Sequence, residues 1–302
     1  MKRKLGLALS GGGIKAYTQI GVLRVMEEKK LRIDIIAGTS MGSIIASLTA
    51  AGASPSALLV HMLELERHFT SQRVFMRPNL RVLPFARNKL NGFIDADVFE
   101  KLVQDQLDKY GVTHIMDLKM PIAITAVDLI TGKLVLFTNV PDTFKHQDEM
   151  IIISDITVAQ AVRASSSFPL VFNTKNFGGM QLVDGGVKMN LPVPPLLMMG
   201  ANKILSVTMD DEKNFNESTR MSDIATRVVG LMSRDSHVSA KLQSDFNLNV
   251  DVSEISIFDV GKGERAVELG FVEAHMHWPE IAQAMVMKTM LGAIKEEIGK
   301  LR

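Results

Sequence analysis

Three segments of this 302-residue chain carry groups suited to chemistry: Ser40 within Gly38-Thr39-Ser40-Met41-Gly42, Asp184 ahead of Gly185-Gly186, and the run Gly11-Gly12-Gly13. A serine hydroxyl attacks a carbonyl carbon when a base takes its proton and donors hold the oxyanion that forms. Ser40 sits where an apolar run, Ile33 to Ala37, gives way to a helical pattern, Ser43 to Ala50. A serine on so sharp a strand-to-helix turn has strained backbone geometry and an exposed hydroxyl. The pattern alone turns up by chance in roughly one chain in ten of this length, so it needs partners.

The donors have a natural source. Gly11-Gly12-Gly13 closes the apolar stretch Lys4 to Ser10 and opens a helical pattern, so its N–H groups can face a growing negative charge with the helix dipole behind them. The base is less obvious. The seven histidines, at 61, 68, 114, 146, 237, 275 and 277, all lack the strand-end setting that would aim an imidazole at a site. Asp184 ends an apolar strand and is released by two glycines, although Asp-Gly is also an ordinary turn pair. Lys15, just past the glycine run, is either a contact for a phosphate or a solvated helix residue.

The elements that must position these groups follow from periodicity. Lys4 to Ser10 and Ile33 to Ala37 read as strands, with a helix from Ile14 to Lys30 between them and another after Ser40. Two successive β-loop-α units predict a parallel sheet covered by helices on both faces. Both candidate loops then fall at the same sheet edge, where open α/β sheets place their sites. Helices are expected at 56–69, 97–110, 158–164, 222–246 and from 263 onward. Strands are expected at 121–127 and 133–138, joined as a hairpin that makes the sheet mixed, and at 181–184, 204–208 and 255–258. With no repeat and no linker, one domain over 1–302 is the economical division.

Taken together the segments resemble the patatin-like phospholipase family. Its glycine-rich oxyanion loop corresponds to Gly11-Gly12-Gly13-Ile14-Lys15, its elbow to Gly38 through Gly42, and its aspartate block to Asp184 through Pro192. Between them Arg163-Ala164-Ser165-Ser166-Ser167-Phe168-Pro169 is similar to the family's Ala-Ser block, and Asp128 to Gly132 to its hairpin segment. The similar blocks lie in family order over about Leu5 to Pro195, with residues 196–302 expected to complete the fold. Ala16 stands where the family commonly has a glycine. The resemblance implies a three-layer α/β/α fold with a mixed, mainly parallel sheet. It also implies a serine–aspartate dyad, Ser40 as nucleophile and Asp184 as general base, hydrolysing phospholipid or other fatty-acyl esters with no cofactor and no metal.

Composition sets limits around that expectation. With 34 basic and 33 acidic residues the net charge is +1, which gives no reason to expect a nucleic-acid partner. The absence of cysteine excludes disulfides and thiolate chemistry. Leu5 to Leu9 is too short for the apolar core of a signal peptide and no stretch reaches the ~18 to 20 apolar residues of a membrane span, so a cytoplasmic protein is expected. Contact with the inner membrane face is compatible with this. From Arg67 to Ile94 basic residues, among them Arg73, Arg77 and Arg81, alternate with bulky apolar ones and no acid intervenes. Such interleaving suits an anionic bilayer surface, or equally a basic loop over the core. Two rivals remain at this stage: a lipid-binding module without catalysis, and a dinucleotide-binding protein in which Gly11-x-Gly13-x-x-Ala16 holds phosphates and Asp34 a ribose.

Overall fold

The computed structural model describes residues 2–71, 97–169, 171–210, 221–232 and 234–286. Along the chain these form β1 (Leu5–Leu9), α1 (Thr18–Glu28), β2 (Ile35–Thr39), α2 (Met41–Ala51), α3 (Pro55–Ser71) and α4 (Asp97–Asp108). There follow β3 (Ile122–Asp128), β4 (Leu134–Thr138), β5 (Met150–Ile153), α5 (Val158–Ser165), β6 (Lys175–Phe177), β7 (Met180–Asp184) and α6 (Val193–Met198). The last part holds β8 (Lys203–Thr208), α7 (Met221–Met232), α8 (Arg234–Leu242), β9 (Phe246–Asn249), α9 (Gly263–Met276) and α10 (Trp278–Ala284).

The strands pair in the order β5-β4-β3-β2-β1-β8-β9, with β7 on β3 and β6 on β7. The pairs β1–β2, β1–β8, β2–β3, β4–β5 and β8–β9 are parallel, whereas β3–β4, β3–β7 and β6–β7 are antiparallel. The sheet is mixed and mostly parallel, with helices on both faces.

Alternation along the strands explains the layers. Leu5, Leu7, Leu9, Ile36, Ile122, Ile124, Val135, Phe137, Leu205 and Val207 face one core, which α1 to α5 and α9 cover. Ala8, Ile35, Ala37, Ala123, Leu136 and Ile204 face the other, filled from α6 and α8 by Val193, Leu196 and Ala240. Small residues dominate the centre of this second face, so α6 approaches the sheet closely: a Cβ on Gly6 would lie 3.0 Å from that of Ala201 and 3.2 Å from that of Leu196.

Three sequence expectations are corrected. The helix expected to continue to Phe246 ends at Leu242, and Phe246–Asn249 is instead the edge strand β9. Residues 255–258 are not a strand: Ser256 N–H donates to the Asp259 carboxylate and Asp259 N–H to the Ser256 carbonyl, which closes a turn. The helix opened at Gly263 breaks at His277, and α10 begins anew at Trp278 with Pro279 in its first turn, where a missing N–H costs nothing. β5 and β6, short and half-buried, had no alternation strong enough to announce them. Among the described residues no helix is long and apolar enough to cross a membrane.

Candidate active site

β1, β2 and β8 run parallel, so the chain leaves all three at one sheet edge, and the candidate loops converge there. Ser40 caps α2 with φ 52° and ψ −128°, a conformation strained for a residue with a Cβ. The turn closes because its flanking glycines allow contact: a Cβ on Gly42 would lie 2.6 Å from the carbonyls of Leu9 and Ser10. The turn is held by its neighbours. Ser40 N–H donates to Ser165 Oγ at 2.8 Å, and the Ser40 carbonyl accepts from Ser43 N–H at 2.8 Å and Ser43 Oγ at 2.6 Å.

Asp184 ends β7, which pairs antiparallel with β3, and its carboxyl is buried with 2% of the residue exposed. Oδ1 accepts Gly186 N–H at 2.7 Å. Among the described residues Oδ2 has no partner in hydrogen-bond geometry, yet the Ser40 hydroxyl is near enough to act on the carboxyl's titration. Catalytic contacts of this kind are often loose before substrate binds. Burial pushes the Asp184 pKa up from 3.8 to about 6, with the Ser40 hydroxyl and Gly186 N–H pulling the other way.

The glycine run lies beside Ser40: a Cβ on Gly11 would sit 2.9 Å from that of Ser40. Gly11 N–H is occupied by Asn190, whose Oδ1 accepts at 3.2 Å and whose carbonyl accepts at 3.4 Å. The N–H groups of Gly12 and Gly13 have no partner among the described residues. Of the three glycines named from sequence, Gly12 and Gly13 therefore keep N–H groups without a partner among the described residues, and Gly11 N–H is already engaged. Gly13 has φ +56° and lies against the Ile257 carbonyl, which also accepts Ile14 N–H at 3.0 Å. Lys15 is half-buried in the turn of 3₁₀ helix from Gly13 to Tyr17 and forms no ion pair among the described residues. Arg73, Arg77 and Arg81 lie outside the described residues.

Several residues that position this site gave little sign of it in the sequence. A capping box, Thr157 with Gln160, starts α5, and from its end Ser165 takes the Ser40 N–H. Two residues on, the Ser167 carbonyl accepts Asp184 N–H at 3.0 Å, while the buried Arg163 donates to Ser167 Oγ and to Asn173. One short block thus holds both candidate residues. The 255–258 turn is tied in from behind, since the buried Glu66 of α3 accepts the N–H groups of Gly261 and Gly263 through Oε1. Only the resemblance of the Arg163 block marked any of these in advance.

Several of the histidines are engaged elsewhere. His61 meets Tyr110 at 2.8 Å, His237 meets Asp210 at 2.9 Å and His275 meets Glu28 at 3.1 Å. No hydrogen bond among the described residues joins a histidine to Ser40 or Asp184. Asp34, the acid a dinucleotide site would need, accepts Leu5 N–H at 2.7 Å at the start of β2, the edge opposite Ser40. That rival loses its ribose ligand.

The chain is 31% identical over 191 residues to the protein YqhO of Bacillus subtilis, covering 61% of this chain and 64% of that protein. It is 28% identical over 207 residues to an NTE family protein of Mycobacterium bovis, covering 68% of this chain and 49% of the relative, so it spans about half that relative's length. Over 203 residues it is 26% identical to lysophospholipase NTE1 of Mycosarcoma maydis, 67% of this chain and 9% of that one. Human GIVD cytosolic phospholipase A2 has a similar fold, with a TM-score of 0.53 at 11% identity over 94% of this chain and 60% of that chain. The profile of one family, Patatin-like phospholipase, matches residues 7–197, the stretch that contains the glycine run, the elbow, the Arg163 block and Asp184. On that match and on the blocks it spans, the chain belongs to the patatin-like phospholipase family.

Proposed function

We propose that this protein is a serine esterase acting on lipid acyl esters, of phospholipase A or lysophospholipase type, with Ser40 as nucleophile and Asp184 as general base. The observation that carries this reading is the approach of a strained, half-exposed serine to a buried carboxyl whose pKa is raised to about 6. An unperturbed aspartate is a poor base, and one titrating near 6 is ionised at neutral pH yet holds a transferred proton better. The similarity to a lysophospholipase and the family membership support a lipid ester as substrate.

In this mechanism Ser40 Oγ attacks the ester carbonyl while its proton passes to Asp184 Oδ2, the oxygen without another partner. The tetrahedral oxyanion accepts from Gly12 and Gly13 N–H. Collapse breaks the ester C–O bond, and the departing alkoxide takes the proton back from Asp184, leaving the acyl group on Ser40. Water then attacks this acyl-enzyme with Asp184 again accepting a proton, and the fatty acid leaves as Ser40 is restored. An alkoxide leaves with less help than an amine, so esters suit a dyad better than amides. Lys15, half-buried one turn beyond the oxyanion donors, would meet the phosphate of a phospholipid head group.

The test is a panel of soluble esters and phospholipids run on the wild type, Ser40→Ala, Asp184→Asn and the double variant, with fluorophosphonate labelling of Ser40. Both single variants should lose essentially all turnover, and the double should be no worse than either, because the pair acts as one unit. Turnover retained in Asp184→Asn, or lost equally in His237→Ala, would overturn the dyad. A wild type that neither hydrolyses esters nor takes the label would leave a lipid-binding module as the reading.

A further inference from the structure

Helix α7 turns an apolar side outward. Ile224, Val228, Leu231 and Met232 recur at the i, i+4, i+7 and i+8 spacing that keeps side chains on one stripe, and they are 44%, 48%, 50% and 64% exposed. Helix α8 continues the pattern, with Val238 and Leu242 at i and i+4 and 49% and 82% exposed. Two consecutive helices thus expose six large apolar side chains, and a stripe of that kind marks a surface that something else covers.

Its place in the fold says what. α7 packs against the turn Gly185–Val187 that follows Asp184, and α8 is fastened to the same loop by Ser236 Oγ, which donates to the Lys188 carbonyl at 2.7 Å. α8 is held from the other side by Asp210, just beyond the end of β8, which takes both His237 and Lys241. The two helices are therefore anchored at the sheet edge where Ser40 lies. Arg227 and Arg234, both exposed, stand at the flank and the end of the α7 stripe.

We propose that the outward faces of α7 and α8 dock on the surface of a lipid aggregate and bring the Ser40 cleft to its substrate. The occupant follows from adjacency: the stripe borders the catalytic loop, and on the esterase reading above, on which this inference rests, the scissile ester lies at a lipid–water boundary. Apolar side chains enter the acyl boundary while the arginines stay at head-group level. Because the apolar stripe supplies most of the attraction, docking on a zwitterionic surface should persist at high salt. That separates this surface from a binding mode carried by the basic residues between 67 and 94, which would fade as salt rises.

The test uses the full chain, with Val228→Ser, Leu231→Ser and Met232→Ser combined, and vesicles of phosphatidylcholine with and without phosphatidylglycerol. Vesicle co-sedimentation should fall by about tenfold or more in the triple variant. In the wild type it should survive about 1 M salt, where the Debye length is about 3 Å. All three residues are exposed, so helical circular dichroism and hydrolysis of a short soluble ester should stay within about twofold of the wild type. Undiminished vesicle binding in the variant, or no vesicle binding by the wild type, overturns the proposal. So does a wild type that self-associates in sedimentation velocity and becomes monomeric in the variant, which would give the stripe to a second copy of the chain. The Ser40→Ala protein separates the two ideas. If it and the wild type both bind vesicles through the stripe but no ester is cleaved, the esterase reading fails and the docking stands; the docking fails alone if esters are cleaved and the stripe variant binds as before.

Discussion

Ser165 Oγ accepts the backbone N–H of Ser40 at 2.8 Å across 125 residues of sequence. Ser40 is the residue with strained backbone at the tip of the elbow, so its N–H cannot enter the helix that it caps and would otherwise be orphaned. Ser165 closes this gap from the end of α5, while Ser167 takes the Asp184 N–H. The separation between the two candidate catalytic residues is thus set by one turn of a third element.

Ser165→Ala should therefore lower kcat about tenfold or more with little change in KM, because an unsatisfied buried N–H costs about 1–3 kcal/mol and the elbow can relax to relieve it. Steady-state kinetics on a soluble ester check this. An unaltered kcat would mean that the glycines alone hold the turn.

The pH dependence follows from Asp184. With Asp184 as the proposed base, activity requires its carboxylate, so kcat/KM should rise with pH through a midpoint near 6. Stability runs the other way: the folded carboxyl keeps its proton up to about 6 whereas the unfolded one loses it near 3.8, so the contribution is complete below 3.8 and lost as pH rises through about 6. At pH 8 the ionised group costs on the order of 3 kcal/mol. Asp184→Asn should consequently melt higher than the wild type at pH 8, with the gap closing toward pH 4. Calorimetry at the two pH values measures it.

The oxyanion glycines should respond unequally. A Cβ on Gly13 would lie 2.2 Å from the Ile257 carbonyl oxygen, a backbone atom, and φ is +56°. A Cβ on Gly12 would meet only Met209 Cε, at 2.7 Å, which is the free end of a flexible side chain. Gly13→Ala should lose on the order of 10²-fold in turnover together with thermal stability, and Gly12→Ala much less of either. Equal losses would place the second oxyanion donor elsewhere.

Glu66 reaches the site through another loop. Its Oε1 gathers the N–H groups of Gly261 and Gly263, and the preceding turn presents the Ile257 carbonyl to Ile14. Glu66→Ala should lower kcat about tenfold, and Glu66→Gln, which keeps an acceptor, should restore most of it. If both variants fell equally, the charge and not the acceptor would be what matters.

The sequence by itself determined the local parts of this protein. The elbow, the glycine run, the Asp-Gly-Gly turn and the first two β-loop-α units are written in apolar runs, glycine positions and short-range spacing, and the parallel order of β1 and β2 follows from their connection. Tertiary structure decided what depends on groups distant in the chain. The burial that raises the Asp184 pKa comes from packing around β7, the N–H of Gly11 is taken by Asn190, and that of Ser40 is satisfied by Ser165. The 255–258 segment has the apolar content of a strand, yet its Ser256–Asp259 turn closes locally and its Ile257 carbonyl goes to Ile14. Periodicity records which face of an element is apolar; which buried donor meets which acceptor is settled only when the sheet brings their loops to one edge.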